Sequence, residues 1–245
     1  MAAQQIGTAM PGSVTLAFQG AVAVVTIANP GRLNAIDDAV SNGLADAAAA
    51  VRARRDLAAM ILRGAGREAF SAGVDLKFVG THPNRADGFA KLGPGQERFA
   101  AEMAEMPLPV IAMLHGVCYG GGLNLALAAD FRFADTALRL AIPAVKNGLL
   151  YPIPALERLM RLVGPSRTRR LVLEGAALPP QTLLDWGLLD ELHAPDALEA
   201  QTFAFAERLA AQNRATIPAF MKIFRALDKG DVAEAQRLRA AHRRV

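Results

Sequence analysis

The segment Ala69-Phe70-Ser71-Ala72-Gly73-Val74-Asp75-Leu76-Lys77 carries the strongest structural signal in the chain. A second segment, Pro109-Val110-Ile111-Ala112-Met113-Leu114-His115-Gly116, leads after three residues into the triplet Gly120-Gly121-Gly122. Each is an apolar, strand-like run that ends in a glycine-bearing turn. A turn of this kind presents an unshielded backbone amide, and two such amides brought together form an oxyanion hole.

Composition favours one large domain of a protein from a reducing compartment. The 245 residues are 52% hydrophobic, which allows a sizeable core. The single cysteine, Cys118, excludes an internal disulfide. No apolar run reaches membrane-spanning length, and residues 1–12 lack a signal-like pattern and are expected to form a flexible tail. We therefore expect a cytoplasmic protein with no membrane partner.

The net charge of +4 does not predict a nucleic-acid partner. The arginines are scattered over several helical segments, and no aromatic residues alternate with them as in single-strand binders. Solvated helix faces account for this pattern.

Periodicity predicts an α/β fold with strand-rich units first and helices last. Strands are predicted at residues 14–18, 21–27, 57–62, 110–114, 131–134, 138–142 and 188–192. Helices are predicted from residue 37 or 38 to 54 and at residues 96–106, 123–130, 155–163, 166–174, 180–186, 197–213, 217–227 and 232–243. Residues 80–94, rich in glycine and proline, are predicted to be a mobile loop with a short helix.

Several familiar motifs are absent. The triplet does not fit the Gly-x-Gly-x-x-Gly dinucleotide fingerprint, there is no phosphate-binding loop, and no histidines and cysteines have metal-ligand spacing. Ser71 lacks the glycine of a nucleophile elbow. His115 and Cys118 are expected to be structural rather than reactive.

Four segments together resemble the enoyl-CoA hydratase/isomerase family, also called the crotonase family. They are Arg32-Leu33-Asn34-Ala35-Ile36, the segment 69–77, residues 109–130 and residues 162–190. They occur in the family's order and cover most of residues 14–230. The resemblance implies a core of ββα units, with a division into core residues 1–190 and a C-terminal helical oligomerisation region, residues 191–245, in one structural unit.

The resemblance also implies a ligand and a site. The ligand is an acyl-CoA thioester, with coenzyme A as part of the substrate and no further cofactor or metal. Its oxygen is held by the amides of Val74 and Gly121, which lie before the aspartate and in the middle of the triplet. A helix expected from Leu123 adds the positive end of its dipole. The substrate-binding set implied is Arg32, Ala35, Ala72, Gly73, Asp75, Leu76, Lys77, Gly120 and Ala144.

Two positions depart from the family's hydratases, which use two glutamates as acid and base. Asn124 stands at the first position, and Ala144, after Pro143, at the second. An amide orients water but does not take its proton at neutral pH. Simple hydration by the usual route is therefore not expected.

Other residues are candidates for the chemistry. Tyr151 resembles a tyrosine of the methylmalonyl-CoA decarboxylase branch, and either binds a carboxylate together with Asn124 or only fills the acyl pocket. Glu97 lies on a helix that contributes a histidine in the aryl-CoA dehalogenase branch, and is either a base or a solvent-facing glutamate. Arg32 and Lys77 either meet CoA phosphates or are surface charges.

Three readings of the function follow. The first is an enzyme that stabilises an acyl-CoA enolate by non-hydratase chemistry such as decarboxylation, a lyase of fatty acid metabolism. The second is a non-catalytic acyl-CoA-binding protein. The third is a hydratase or isomerase with a substitute acid/base. A homotrimer or hexamer is implied by the resemblance, with Phe220 and Lys222 on a helix that reaches the CoA of a neighbouring subunit.

Overall fold

The computed structural model describes residues 11–242. Its strands are β1 (Ser13–Gln19), β2 (Val22–Ala28), β3 (Ala59–Gly64), β4 (Ala69–Ser71), β5 (Val110–Leu114), β6 (Val117–Tyr119), β7 (Phe131–Asp135), β8 (Arg139–Ala141) and β9 (Glu191–His193). Its helices are α1 (Asp38–Ala53), α2 (Leu76–Val79), α3 (Arg85–Ala104), α4 (Gly121–Leu127), α5 (Ile153–Glu174), α6 (Pro180–Asp185), α7 (Leu198–Ala210), α8 (Thr216–Asp228) and α9 (Val232–His242). The prediction of an α/β fold is confirmed.

A six-stranded sheet has the order β1-β2-β3-β5-β7-β9. The strands predicted at residues 14–18 and 21–27 form a hairpin: β1 and β2 pair antiparallel around a turn in which Gly20 has φ +56°. The remaining strands run parallel. Strand β5 is apolar throughout and β3 is apolar except for Arg63, because helices cover both faces of the sheet.

A second sheet holds the shorter strands in the order β4-β6-β8, all parallel. Each of these follows one strand of the large sheet along the chain, and each is followed by helix or by a short helical turn. This is the ββα alternation that the sequence resemblance implies. It also brings the ends of β4 and β6 side by side, so the two glycine turns become neighbours.

Two apolar clusters hold the layers together. The larger lies between the sheets and helices α1, α3 and α5 and includes Phe70 and Met103. The smaller lies on the other face of the large sheet, where Leu198 and Ala206 of α7 pack on Ile111 and Phe133. Since β9 also joins the large sheet, part of the segment 191–245 contacts the core directly. The division at residue 190 stays a prediction.

The predicted loop at residues 80–94 is wrong for most of its length, because α3 already begins at Arg85. Asn84 caps its first turn by accepting from the amide of Asp87. The glycines permit close packing rather than a turn: a Cβ at Gly95 would lie 2.6 Å from Ser41 Oγ, and one at Gly88 would lie 2.6 Å from the carbonyl oxygen of Val79. Pro94 lies inside the helix.

Other differences concern short elements. Strand β6 and helix α2 have only three and four residues, too few to establish a period, and were not predicted as separate elements. Strand β9 begins at Glu191 rather than at residue 188. Helix α4 begins at Gly121 and ends at Leu127, earlier than predicted at both ends.

The structure describes only part of the two terminal segments for which predictions were made. Residues 1–10 of the predicted tail and residue 243 of the last predicted helix lie outside the described residues. Gly12, at the end of that tail, donates its amide hydrogen to the Asp37 carboxylate at 2.8 Å. No helix within residues 11–242 combines the length and apolarity required to cross a membrane.

Candidate active site

The first glycine turn follows β4 and is fixed by backbone and side-chain hydrogen bonds. Ser71 Oγ donates to the carbonyl oxygen of Asn34 at 2.7 Å and accepts from the amide of Gly73 at 3.2 Å. Gly73 has φ +88°, a conformation that favours glycine. The carbonyl oxygen of Gly73 accepts from the amide of Ile36, so the segment 32–36 also supports the turn.

The second glycine turn follows β6 and opens α4. Gly120 has φ +46°, and its amide donates to the carbonyl oxygen of Ala141 at 3.0 Å. Gly121 is the first residue of α4, where the backbone amide has no partner within the helix. The third glycine permits the close approach of the two turns, because a Cβ at Gly122 would lie 2.5 Å from the carbonyl oxygen of Ser71.

The amides of Val74 and Gly121 lie close together. A Cβ on Gly121 would lie 3.2 Å from the Val74 nitrogen, and a Cβ on Gly73 would lie 2.9 Å from the Gly121 nitrogen. Within residues 11–242, neither nitrogen donates a hydrogen bond. Two free donors this close, on turns held by separate strands, are a candidate oxyanion hole.

Asp75 anchors the first turn to its surroundings. Its carboxylate caps α2 by accepting from the amides of Lys77 at 2.9 Å and Phe78 at 3.1 Å. The same carboxylate accepts from Arg32 Nη1, 2.9 Å from one oxygen and 3.0 Å from the other. Arg32 and Asp75 therefore support the Val74 amide from outside the cavity rather than line it.

Replacing Asp75 by alanine is expected to lower the free energy of unfolding and to slow turnover. Loss of the helix cap costs about 0.5–2 kcal/mol, and the freed turn no longer holds the neighbouring Val74 amide in place. Denaturant unfolding and acyl-CoA turnover measure the two effects. The matched control is Asn84→Ala, which removes the exposed cap of α3. Equal turnover in both variants would show that Asp75 does not position the amide.

A cleft with about 1180 Å³ of empty space, partly open to solvent, lies beside the two amides. Apolar residues from α1, α3 and α4 form much of its wall, among them Leu44, Phe89, Phe99 and Leu125. A large apolar cleft with a few polar groups is the usual form of a small-molecule site.

The structure brings most of the predicted site residues to this cleft. Those that line it are Val74, Gly121, Asn124, Tyr151, Ala72, Leu76, Gly120 and Ala144. Arg32, Ala35, Gly73, Asp75 and Lys77 do not line it. Ala35, Gly73, Asp75 and Lys77 are each next to a lining residue in the sequence.

Glu97 is not brought to the site. It is exposed, whereas its neighbours on α3, Gln96, Phe99 and Ala100, line the cleft. Successive residues of a helix point about 100° apart, so the face that carries the cavity residues turns Glu97 toward solvent. Of the two alternatives for Glu97, a base or a solvent-facing glutamate, its position agrees with the second.

The described residues that line the cleft include no Asp, Glu, His, Lys or Cys. Their only ionisable side chains are Tyr151 and Arg158. Burial, with the nearby charges of Arg161 and Arg225, lowers the pKa of Arg158. Sequence reasoning missed Arg158 and Gln96, because neither belongs to a recognisable motif and only the packing of their helices turns them inward.

Tyr151 lies in the wall with its hydroxyl directed at the second glycine turn. Its phenol oxygen donates to the carbonyl oxygen of Gly120 at 2.9 Å, and the residue is 7% exposed. Burial raises the pKa of Tyr151 above its ordinary value, with a further contribution from the neighbouring Cys118. The phenol is therefore a neutral donor whose proton is already engaged.

His115 and Cys118 stand apart from the cleft. His115 is buried, with Nε2 3.2 Å from the carbonyl oxygen of Gly64. Cys118 is buried in the large apolar cluster, and burial raises the pKa of its thiol. Both positions agree with the structural roles expected from the sequence. Within residues 11–242, no group of three or more His, Cys, Asp or Glu side chains is placed to hold a metal ion.

A family model described as enoyl-CoA hydratase/isomerase matches residues 17–243. The chain belongs to the enoyl-CoA hydratase/isomerase family. A carnitinyl-CoA dehydratase from Salmonella typhi is 30% identical over 230 residues, which are 93% of this chain and 86% of the relative. The sequence resemblance is thereby confirmed at the level of the family.

Solved structures of this family have the same fold. An enoyl-CoA hydratase/carnithine racemase from Magnetospirillum magneticum has a TM-score of 0.83 and 29% identity, over 90% of this chain and 85% of that one. A putative enoyl-CoA hydratase/isomerase family protein from Hyphomonas neptunium has a TM-score of 0.85 and 26% identity, over 93% of this chain and 88% of that one. The crotonase-like α/β architecture is therefore confirmed.

Proposed function

We propose that this protein binds an acyl-CoA thioester and stabilises its enolate with the amides of Val74 and Gly121. The observation that carries the proposal is the close approach of these two free amides at the wall of a cleft. An enolate places negative charge on the thioester oxygen, and two fixed donors aimed at that oxygen stabilise it more than they stabilise the neutral thioester.

The composition of the wall favours decarboxylation as the way in which the enolate forms. Proton abstraction needs a base in reach of the substrate, and the described residues that line the cleft offer no carboxylate, imidazole, thiol or amine. Loss of CO₂ needs none. The bond between the α-carbon and the carboxylate breaks, its electron pair passes through the α-carbon to the thioester oxygen, and solvent later protonates the α-carbon.

Charge in the cleft agrees with a substrate that carries a carboxylate. Arg158 is the cation among the described residues of the wall, and no anionic side chain lines the cleft. The carboxylates of Glu157 and Asp228 act on Arg158 from outside the wall. A cleft of this kind attracts an anionic acyl group and disfavours a cationic one. A malonyl-type thioester, with its carboxylate on the α-carbon, fits both the charge and the chemistry.

A non-catalytic acyl-CoA-binding protein is the second candidate. The same lack of a base favours it, because a protein that only binds needs no proton transfer. Dehydration, the reaction named for the Salmonella relative, is less well supported here. The sequence resemblance assigns Asn124 and Ala144 to the positions of the hydratase glutamates, and Glu97 faces away from the cleft. The trimer or hexamer and the cytoplasmic location stay predictions; the exposed Phe220 and Phe224 of α8 agree with an interface.

A mass-spectrometric turnover screen separates these candidates. The panel contains methylmalonyl-CoA, crotonyl-CoA, longer enoyl-CoAs and an aryl-CoA. We expect loss of CO₂ from methylmalonyl-CoA and no addition of water to the enoyl-CoAs. Binding of the thioesters without any turnover would favour the non-catalytic protein. Hydration of crotonyl-CoA would contradict the decarboxylation proposal and require a base from outside the described wall.

A further inference from the structure

We propose that Tyr151 is a positioning residue for the oxyanion hole and acts through the peptide bond between Gly120 and Gly121. The Tyr151 hydroxyl donates to the carbonyl oxygen of Gly120 at 2.9 Å. That carbonyl belongs to the same planar peptide unit as the Gly121 amide, the second donor of the proposed hole. The tyrosine thus holds one side of the unit while the other side faces the ligand.

The hydrogen bonds of this unit are all on its carbonyl side. The Gly120 oxygen also accepts from the amide of Asn124 at 3.0 Å, the first hydrogen bond of α4. Hydrogen bonds to a carbonyl polarise the peptide and strengthen its N–H as a donor, by roughly 10–30% per bond. Tyr151 therefore makes the Gly121 amide a stronger donor and fixes its direction.

The local backbone makes the hydrogen bond from Tyr151 important for the orientation of the Gly120–Gly121 peptide. Gly120 has φ +46° and ψ −107°, and no heavy atom lies within 4 Å of where its Cβ would be. Among the residues that the structure describes, no side chain caps the first turn of α4. The phenol is thus the side chain that restrains this unit within residues 11–242.

The same contact decides between the two roles that the sequence leaves open for Tyr151. Because its proton is engaged by Gly120, the hydroxyl is not a free donor for a substrate carboxylate. It also does more than fill space, because its oxygen contacts the peptide that carries the Gly121 amide. This inference deepens the proposed function and rests on it for its catalytic consequence, but the hydrogen bond itself can be measured without any ligand.

The sequence offers a selective spectroscopic probe. Gly120-Gly121 and Gly121-Gly122 are the only two Gly-Gly peptides among the 21 glycines. In protein grown on glycine labelled with ¹³C at the carbonyl and ¹⁵N at the amide, an amide-to-carbonyl correlation spectrum therefore contains only these two peptides. Tyr151→Phe should move the Gly120 carbonyl and Gly121 amide resonances and leave the other peptide nearly unchanged.

The control is Tyr119→Phe, which removes the other tyrosine hydroxyl of the chain close to the same turn. It should leave both resonances in place. Identical Gly120 carbonyl shifts in Tyr151→Phe, Tyr119→Phe and the unsubstituted protein would overturn the proposal.

Kinetics test the consequence for the reaction. One oxyanion-hole donor contributes ~10²–10³ to turnover, and we expect the Tyr151 hydrogen bond to strengthen the Gly121 donor by ~10–30%. Tyr151→Phe should therefore lower kcat on methylmalonyl-CoA about two- to eight-fold, with a smaller change in KM. Unchanged kcat despite a shifted carbonyl resonance would overturn the role in positioning. No turnover in the unsubstituted protein would refute the proposed function, while the resonances would still report on the hydrogen bond.

A second measurement covers the case in which Tyr151→Phe does not fold. In the Tyr119→Phe background Tyr151 is the only tyrosine, so 3-fluorotyrosine supplied during growth labels this site alone. Fluorination makes the phenol a stronger donor. The Gly120 carbonyl resonance should then move in the direction of stronger hydrogen bonding, and no movement would count against the proposal.

Discussion

Replacing Gly121 by proline is expected to lower acyl-CoA turnover by about 10²–10³, the typical effect of losing one oxyanion-hole donor. Proline has no N–H, and its ring carbon would lie where the amide hydrogen points. Gly121 is the first residue of α4, a position at which proline is common, so the helix itself accommodates the change. The Gly121 amide donates no hydrogen bond within the described chain, so none is lost. The proline Cβ would lie 3.2 Å from the Val74 nitrogen and 3.3 Å from Val74 Cγ2, so Val74 must shift by a few tenths of an ångström.

The control is Val232→Pro, which places proline at the first residue of the exposed helix α9. It also removes the hydrogen bond that the Val232 amide donates to the carbonyl oxygen of Gly230 at 3.1 Å. Both variants are compared by circular dichroism, denaturant unfolding and turnover. We expect both variants to fold and loss of turnover only for Gly121→Pro. Full activity of a folded Gly121→Pro variant would show that the oxyanion hole lies elsewhere.

Replacing Gly73 by alanine is expected to lower turnover by about 10², because misplacing a reacting geometry by 1 Å has an effect of that size. The added Cβ would lie 2.6 Å from the carbonyl oxygen of Tyr119 and 2.9 Å from the Gly121 nitrogen. Both contacts are too short, so the two turns must separate. The donors of Val74 and Gly121 would then no longer converge on one oxygen.

Gly66→Ala separates this steric effect from backbone strain. Gly66 has φ +72°, but no heavy atom lies within 4 Å of where its Cβ would be. A left-handed backbone costs about 1–2 kcal/mol for a residue with a Cβ, so both variants should lose stability. Only in Gly73→Ala should the loss of turnover be larger than the loss of stability accounts for. Equal losses of turnover in the two variants would mean that strain alone explains the result.

The sequence predicts those parts of the fold in which a hydrophobic pattern extends over many residues or a turn residue marks an end. In the hairpin, β1 alternates Val14, Leu16 and Phe18 with smaller residues, whereas β2, β3 and β5 are mainly apolar runs. The start of α3 was not predictable in this way. Its glycines and Pro94 are typical of loops, whereas in the structure Gly88 and Gly95 permit contact with neighbouring segments.

In the candidate site, too, local sequence patterns predict some features and tertiary packing decides the others. The backbone donors at Val74 and Gly121 follow from glycine motifs, since a turn presents its amide whatever side chains surround it. The direction of Glu97 depends on the rotation of α3 against α1, which is a tertiary property. The contact between Tyr151 and Gly120 joins two turns 31 residues apart, so no local pattern predicts it.

Infrared difference spectroscopy of bound propionyl-CoA tests the central claim most directly. Propionyl-CoA with ¹³C at the thioester carbonyl has no carboxylate to lose, so it reports on the hole without reacting. Hydrogen bonds from Val74 and Gly121 should shift the carbonyl stretch to lower frequency in the unsubstituted protein and in Val232→Pro. In Gly121→Pro most of this shift should disappear. Failure to bind, or a carbonyl stretch at its free-solution frequency in the unsubstituted protein, would contradict the account.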